Sequence, residues 1–157
     1  MTQQIKLTRG QLAIVDDWWY EELNQYKWNY DGKYASTTIK QIKFRMHRII
    51  LGSTSYVVDH INHDTLDNRE ENLRICNKTQ NGANRGKQQN NTSGYKGVTW
   101  NKHAGKWLAQ IKKDQKSYYL GIYDDAQDAA RAYDVRSRML FGEFAILNFP
   151  DNEQRNR

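Results

Sequence analysis

The spacing of apolar and polar positions changes several times along this chain, and each change marks an element. Leu12-Ala13-Ile14-Val15 is a short apolar run closed by Asp16-Asp17, which predicts a buried strand. Trp19, Leu23 and Tyr26 follow at helical spacing and predict an amphipathic helix over residues 17–27. Asp31-Gly32 stands between aromatic-rich flanks and predicts a two-residue hairpin turn, since both residues tolerate positive φ. Beyond it Ile42, Phe44 and Met46 alternate with Lys43 and Arg45, the period of a half-buried strand. Trp18, Trp19, Trp28, Tyr30 and Tyr34 read as core rather than as stacking platforms for bases.

The second half has a different rhythm. Residues 86–94 are polar throughout, with nothing to pack, and read as a linker. Three aromatic and β-branched runs follow, Tyr95–Trp100, Gly105–Ile111 and Tyr118–Tyr123, and predict a three-stranded antiparallel sheet. Ala126, Ala129, Ala130 and Tyr133 recur at helical spacing, with Met139 and Leu140 beyond, and the small alanines let a helix approach that sheet closely. Asp124 and Asp125 supply charge at its start, and Gly142 is placed to stop it.

Composition narrows the class. A chain of 157 residues with 38% hydrophobic and 27% charged residues accommodates one to three small units, not one deep core. No apolar run approaches a membrane span, and the start Met1-Thr2-Gln3-Gln4-Ile5-Lys6 lacks a signal peptide's apolar centre, so no membrane partner and a cytoplasmic location are expected. The single cysteine, Cys76, cannot form an intrachain disulfide and reads as a buried structural thiol. Six lysines lie between residues 96 and 117 against one acid, Asp114, while the remainder carries five arginines against seven acids. That asymmetry suggests a basic sheet facing a polyanion, although ordinary surface lysine explains it equally well.

Candidate chemistry is concentrated between Val57 and Asn81. Asp59-His60 is followed after eleven intervening residues by Asn72, and after eight more by Asn81, with Leu66-Asp67-Asn68-Arg69 and Asn72-Leu73-Arg74 in register. Groups at that spacing can handle a hard cation, an activated water and a phosphodiester. The run resembles the HNH nuclease motif in its variant with Asn at the third position. From Tyr95 to Pro150 the chain resembles the DNA-binding domain of the plant Apetala and ethylene-response-factor regulators. That resemblance is carried by Leu120-Gly121, Asp128-Ala129-Ala130, Ala132-Tyr133-Asp134 and Leu147-Asn148-Phe149-Pro150. Together the two resemblances imply an HNH homing endonuclease of phages or mobile elements.

The resemblances also imply a fold and a set of site residues. The fold is α+β: a small N-terminal α/β unit over 1–46, a ββα-metal nuclease motif over 47–88, a linker, the sheet-and-helix domain over 95–150, and a polar tail over 151–157. The motif's strands are expected near Tyr56–His60 and Leu73–Cys76, with a helix from about Lys78. His60 is the candidate general base; Asp59 and Asn81 would hold one divalent cation, Mg²⁺ or Mn²⁺; Asn72 would tie the loop to the strand. Asp67-Asn68 read as turn chemistry, and His63 departs from a position where the family commonly has Gly. His47 either approaches the phosphate or packs beneath the site, and Arg74 and Arg85 flank it as candidate phosphate contacts.

On the sheet, the plant family's contact positions fall on Lys96, Thr99, Asn101, Gln110, Lys112, Ser117 and Tyr119, with Lys106, Lys113 and Lys116 as phosphate contacts. Several of that family's arginines are replaced here, so its base preference does not transfer. The partner implied is double-stranded DNA; no obligatory protein partner is evident, a monomer would nick, and double-strand cleavage would need a second copy, as in a dimer on DNA, or a rearrangement. Two readings compete with a nuclease: a non-catalytic DNA-binding regulator that keeps the motif as scaffold, and an RNA-binding protein.

Overall fold

The computed structural model describes residues 1–52 and 55–150, so the polar tail expected over 151–157 lies outside the described residues. The chain divides into two compact units, Met1–Asn77 and the remainder from Lys78.

The first unit opens with two antiparallel strands, β1 (Thr2–Lys6) and β2 (Leu12–Asp16), paired from Thr2↔Asp16 to Lys6↔Leu12. Helix α1 (Asp17–Asn24) follows at once and ends three residues before the expected boundary. A three-stranded sheet comes next, β3 (Asn29–Tyr30), β4 (Ala35–Ile39) and β5 (Ile42–Arg45), in the order β3-β4-β5. The turn at Asp31-Gly32 is longer than its sequence suggests. Residues 31–34 form a four-residue loop in which the Asp31 carboxylate accepts from the backbone N–H of Lys33 and Tyr34. Those bonds and the Lys43 ammonium hold the Asp31 carboxyl down at about 2, with the Tyr34 amide contributing most. The two-residue turn lies instead at Lys40-Gln41, both at positive φ (47° and 67°), between the paired Ile39 and Ile42. Met46 does not continue β5; it begins the short helix α2 (Met46–Ile50) and is fully buried.

The nuclease-like segment contributes β6 (Val57–His60) and β7 (Leu73–Cys76), antiparallel, with Asp59 opposite Arg74 and His60 opposite Leu73. One continuous core serves this hairpin and the preceding elements. Ile5, Val15, Leu23, Trp28, Met46, Ile50 and Leu73 are all buried in it. β2 is stitched to the loop between β6 and β7 by Ile14 N–H to Leu66 O (2.8 Å) and Asn68 N–H to Ile14 O (2.8 Å). The Asp16 carboxylate accepts from Glu70 N–H, and the indole N–H groups of Trp18 and Trp19 both donate to Glu70 Oε1. Cys76 is buried and free of any disulfide.

The second unit begins with α3 (Lys78–Ala83). Its sheet comprises β8 (Val98–Asn101), β9 (Lys106–Lys113) and β10 (Lys116–Tyr123), antiparallel in the order β10-β9-β8, and α4 (Ala126–Phe141) packs on it. β8 starts at Val98 rather than Tyr95, because Gly97 takes φ +77° and turns the chain. Before that turn, Ser93 Oγ donates to Val98 O and Asn91 Nδ2 to Tyr95 O, so the last residues of the polar stretch brace the strand. Asp125 caps α4 by accepting from Gln127 N–H, and Gly142 (φ 54°) ends it. Val98, Ala109, Ala129 and Ala130 form the core, where methyl-sized side chains bring helix and sheet together. Asp134, buried on α4, accepts from Asn148 N–H and Phe149 N–H and so clamps the closing segment onto the helix.

Candidate functional site

The hairpin register places the Asp-His pair. Asp59 and His60 are the last two residues of β6 and are 6% and 5% exposed, so both groups work in a largely dry environment. Asp59 Oδ2 accepts from Arg74 Nε and Nη2, each at 3.0 Å, across the two strands. Arg74 is therefore a partner of the carboxylate rather than a surface arginine. Burial lowers the His60 imidazole below the ordinary histidine range; the Asn68 hydrogen bond and the charges of Asp59, Asp64 and Asp67 oppose this without reversing it. Burial thus favours the uncharged ring, the form that a proton acceptor needs.

Three side chains surround that ring. Asn68 Oδ1 lies 3.3 Å from His60 Nε2. Tyr34, from the loop after β3, stacks on it with ring centroids 6.1 Å apart, and His47 of α2 meets it edge-on at 5.0 Å. His47 is 3% exposed, and its Nδ1 has no hydrogen-bond partner among the described residues. Burial, reinforced by the charges of His60, Arg45 and Arg48, pushes its pKa down to about 3. Arg45 and Lys33 lie over the Tyr34 ring at 4.6 and 5.0 Å, which puts two cations at the margin of the cluster.

The loop between the strands is held by side-chain-to-backbone bonds together with backbone turns and side-chain pairs. Asn72 Oδ1 accepts from Asn62 N–H (2.9 Å) and its Nδ2 donates to Asp67 O (2.7 Å), bracing both ends of the loop. Asp67 accepts from Arg69 and Asn62; burial raises its pKa, but the Arg69 and Asn62 bonds outweigh that and lower it overall. His63 sits at φ +69°, the conformation that favours the glycine common there in the HNH family. Asn81, half-buried on α3, and the exposed Arg85 just beyond it belong to the second unit. Among the described residues no cluster of three His, Cys, Asp or Glu could bind a metal ion. The Asp59 carboxylate is a hard oxygen donor of the kind a divalent ion takes, with its Oδ2 already accepting from Arg74.

On the second unit, strand register sorts the candidate DNA contacts. Thr99↔Leu108↔Ile122, Gln110↔Tyr119, Lys112↔Ser117 and Asn101↔Lys106 are directly opposed. Because side chains alternate, Thr99, Asn101, Lys106, Gln110, Lys112, Ser117 and Tyr119 share the face turned away from α4, whose own side holds Ala109 and Ile111. Leu120 is the extra residue of a bulge between Tyr119 and Gly121. Lys106 pairs with Asp124 at 2.9 Å, while Lys113 and Lys116 oppose each other across the Asp114-Gln115 turn. Trp107 packs into the core, and Trp100, edge-on to it at 5.0 Å, is 47% exposed.

Lys96 is placed differently. It precedes β8, and its ammonium donates to Ala83 O at 2.6 Å instead of joining the open face. Burial lowers its pKa from 10.5 to about 8. The unfolded chain holds that proton up to the ordinary lysine range while the folded chain releases it near pH 8. Folding stability should therefore rise as pH climbs from about 8 towards 10.5. Urea midpoints at pH 7.5 and 9.5 should show that gain in the wild type and not in Lys96→Met.

Sequence reasoning does not single out Tyr34 or Asn68 as neighbours of His60. Only the packing of a distant hairpin and the closure of the loop bring them there, and neither leaves a local signature.

The HNH endonuclease family matches residues 54–83, and the AP2 domain family matches residues 93–143. An uncharacterized HNH endonuclease of Acanthamoeba polyphaga mimivirus is 30% identical over 151 residues, covering 89% of this chain and 76% of the relative. Protein 3.8 of Escherichia phage T7 is 32% identical over 90 residues, covering 57% of this chain and 74% of the relative. Dehydration-responsive element-binding protein 2D of Arabidopsis thaliana is 40% identical over 78 residues, covering 45% of this chain and 36% of that protein.

Proposed function

Because the chain belongs to the HNH endonuclease family and carries an AP2 domain, we propose that it is a metal-dependent DNA endonuclease of the homing type. The observation that carries this reading is the buried Asp59-His60 pair, a carboxylate and an imidazole as the last two residues of one strand. A regulator using the motif only as scaffold has no need of a desolvated proton acceptor.

His60 takes a proton from the water that attacks phosphorus in line with the departing 3′ oxygen. Asn72 fixes the loop behind it. On the spacing of the motif alone, Asp59 and Asn81 would be the oxygen donors for one Mg²⁺ or Mn²⁺, which would offset the charge developing on the leaving oxygen. His47, Arg45 and Arg85 are assigned to the phosphates of the cleaved strand; Arg74 steadies Asp59. A single HNH centre attacks one strand per encounter, so a monomer nicks and a second copy completes a double-strand cut.

The open face of the β8-β9-β10 sheet docks on duplex DNA, with Thr99, Asn101, Gln110, Ser117 and Tyr119 towards the bases and Lys106 and Lys112 on phosphate; Lys113 and Lys116 alternate to the other side at the β9-β10 turn and reach phosphate only at the sheet's margin. Lys96 joins them only if DNA draws its ammonium away from Ala83 O. Each lysine engaged with phosphate contributes a released counterion, so Lys112→Gln should lower the slope of log affinity against log salt by about 1. Nearly all sequences should weaken alike.

The decisive experiment incubates supercoiled plasmid carrying candidate target sites with Mg²⁺ or Mn²⁺. Conversion to open circles that EDTA abolishes is the expected result. An intact plasmid that the protein binds but never nicks would favour the regulator. Labelled duplex DNA displaced equally well by RNA would argue for the RNA-binding reading.

A further inference from the structure

The open face of the β8-β9-β10 sheet is not uniformly polar. Thr99, Leu108 and Ile122 oppose one another on the three strands and form a single row across it. Thr99 is exposed, Leu108 is half-buried and Ile122 is 42% exposed; neither Leu108 nor Ile122 belongs to the core packed under α4. Neighbouring strands lie about 4.8 Å apart, so the row is about 10 Å long. The major groove of duplex DNA, about 12 Å wide, accommodates that length.

Ile122 stands on this face because of the bulge in β10. In an unbroken ladder beyond Tyr119↔Gln110, Gly121 would oppose Leu108 and Ile122 would oppose Trp107, on the side of α4. The extra residue Leu120 moves Gly121 opposite Ala109 and Ile122 opposite Leu108 instead. The Tyr123 hydroxyl holds the bulge by donating to Leu120 O at 2.9 Å, in space that a Cβ on Gly121 would invade. The outward aliphatic row is therefore a built feature of the strand.

The surroundings choose what covers it. Asn101 and Lys106 flank the row at one end of the strands, and Gln110 and Tyr119 flank it at the other, with the exposed Lys112 beyond. Lys106 pairs with Asp124 at the edge, which leaves its ammonium near the rim of the face. A polar and cationic frame around the aliphatic groups suits a polyanion with an apolar spot on its edge. Among the major-groove edges of the four bases only thymine presents such a spot, its C5 methyl. A donor or acceptor pressed against Leu108 or Ile122 would lose its water and gain no partner.

We propose that this row selects thymine, with Leu108, Ile122 and the Thr99 methyl receiving thymine 5-methyl groups in the major groove. A·T pairs at the centre of the sheet's footprint then form part of the target. Gln110, next on the same face of β9, carries a carboxamide of the kind that pairs with adenine N6 and N7. The inference rests on the reading of this face as a surface that docks on DNA.

The test selects duplexes from a random library with the full chain in EDTA, which prevents cleavage. Anisotropy then compares each preferred site with copies in which one thymine at a time is replaced by deoxyuridine. That exchange removes the methyl and leaves base pairing unchanged. The expected sites share thymines, and each methyl lost beneath the row weakens binding about fourfold. Leu108→Ala and Ile122→Ala should each bring the thymine-to-deoxyuridine ratio at one position to within about twofold of unity, with the salt dependence of binding unaltered. Lys112→Gln should weaken both kinds of site alike. A wild type that binds duplex DNA yet holds thymine and deoxyuridine sites equally overturns the proposal and leaves the docking reading standing. So does a dimer in sedimentation velocity that Leu108→Asp dissociates without loss of duplex binding, since a second copy would then own the row. A chain that binds no duplex removes the docking reading, and this role with it. The wild-type comparison needs no substitution, so it decides even where a variant unfolds.

Discussion

His60→Ala should cut the rate of plasmid nicking about 1,000-fold while leaving DNA affinity within a few-fold of wild type. Loss of a positioned general base costs about 10²- to 10⁴-fold, and hydroxide at neutral pH is too scarce to replace it. Affinity should persist because the basic sheet face is carried by β8, β9 and β10, far along the chain from β6. Folding should also persist. His60 is buried against Tyr34, His47 and Asn68, so its truncation costs about 1–3 kcal/mol of stability, and cleavage is compared at a temperature where both proteins are folded. Asn72→Ala provides the contrast. It removes two short bonds that close the loop, so it should lower stability by about 2–3 kcal/mol as well as activity. Gel-based cleavage, fluorescence anisotropy and urea unfolding of both variants separate the two effects. Nicking by His60→Ala within tenfold of wild type would remove the imidazole from the mechanism.

Gly97→Ala is expected to abolish DNA binding by dismantling the sheet's attachment to its helix. A Cβ at that position would lie 2.0 and 2.2 Å from the ring carbons of Tyr133 and 2.8 Å from the Gln110 carbonyl oxygen. Tyr133 is buried on α4, and its hydroxyl pKa is raised to about 12 by that burial, so the ring has nowhere to retreat. The φ of +77° adds strain of its own. Together these place the cost at about 3–5 kcal/mol, the upper range for single substitutions. Gly105→Ala is the control. It also has positive φ, at 62°, but a Cβ there meets nothing within 4 Å. Its cost should be only about 1 kcal/mol. Unfolding curves that rank the two variants equally would show that conformation alone, rather than the Tyr133 contact, governs this position.

Much of this molecule is legible in the sequence because its signals are local. The nuclease motif is a short-range spacing of side chains over one hairpin and the helix that follows it in the chain, and the sheet of the second unit announces itself through three aromatic runs. Elements with no apolar rhythm leave no such trace. β1 buries only Ile5 of its five residues, and β4 is Ala-Ser-Thr-Thr-Ile, so neither shows the alternation that marks a strand. The turn at Lys40-Gln41 lacks the Gly or Asn that advertises positive φ, which leaves Asp31-Gly32 as the better-marked but mistaken choice for the tight turn. Met46 continues the alternation of β5 yet starts a helix, because the buried faces of both elements happen to share that position. Of the company kept by His60, only His47 is foreshadowed, as one of two placements open to it. Tyr34, His47 and Asn68 come from three separate segments, and nothing in their spacing shows that they converge.

The stitching of β2 to the loop at Leu66 and Asn68 has a practical consequence for swapping specificities. Anyone grafting the HNH segment onto a different DNA reader by cutting at residue 47 would sever the strand that anchors Asn68, and would bare Leu73 and Ile50 to water. A portable piece must carry β1 and β2 with it. What looks like a dispensable extension is the chassis on which the histidine is mounted.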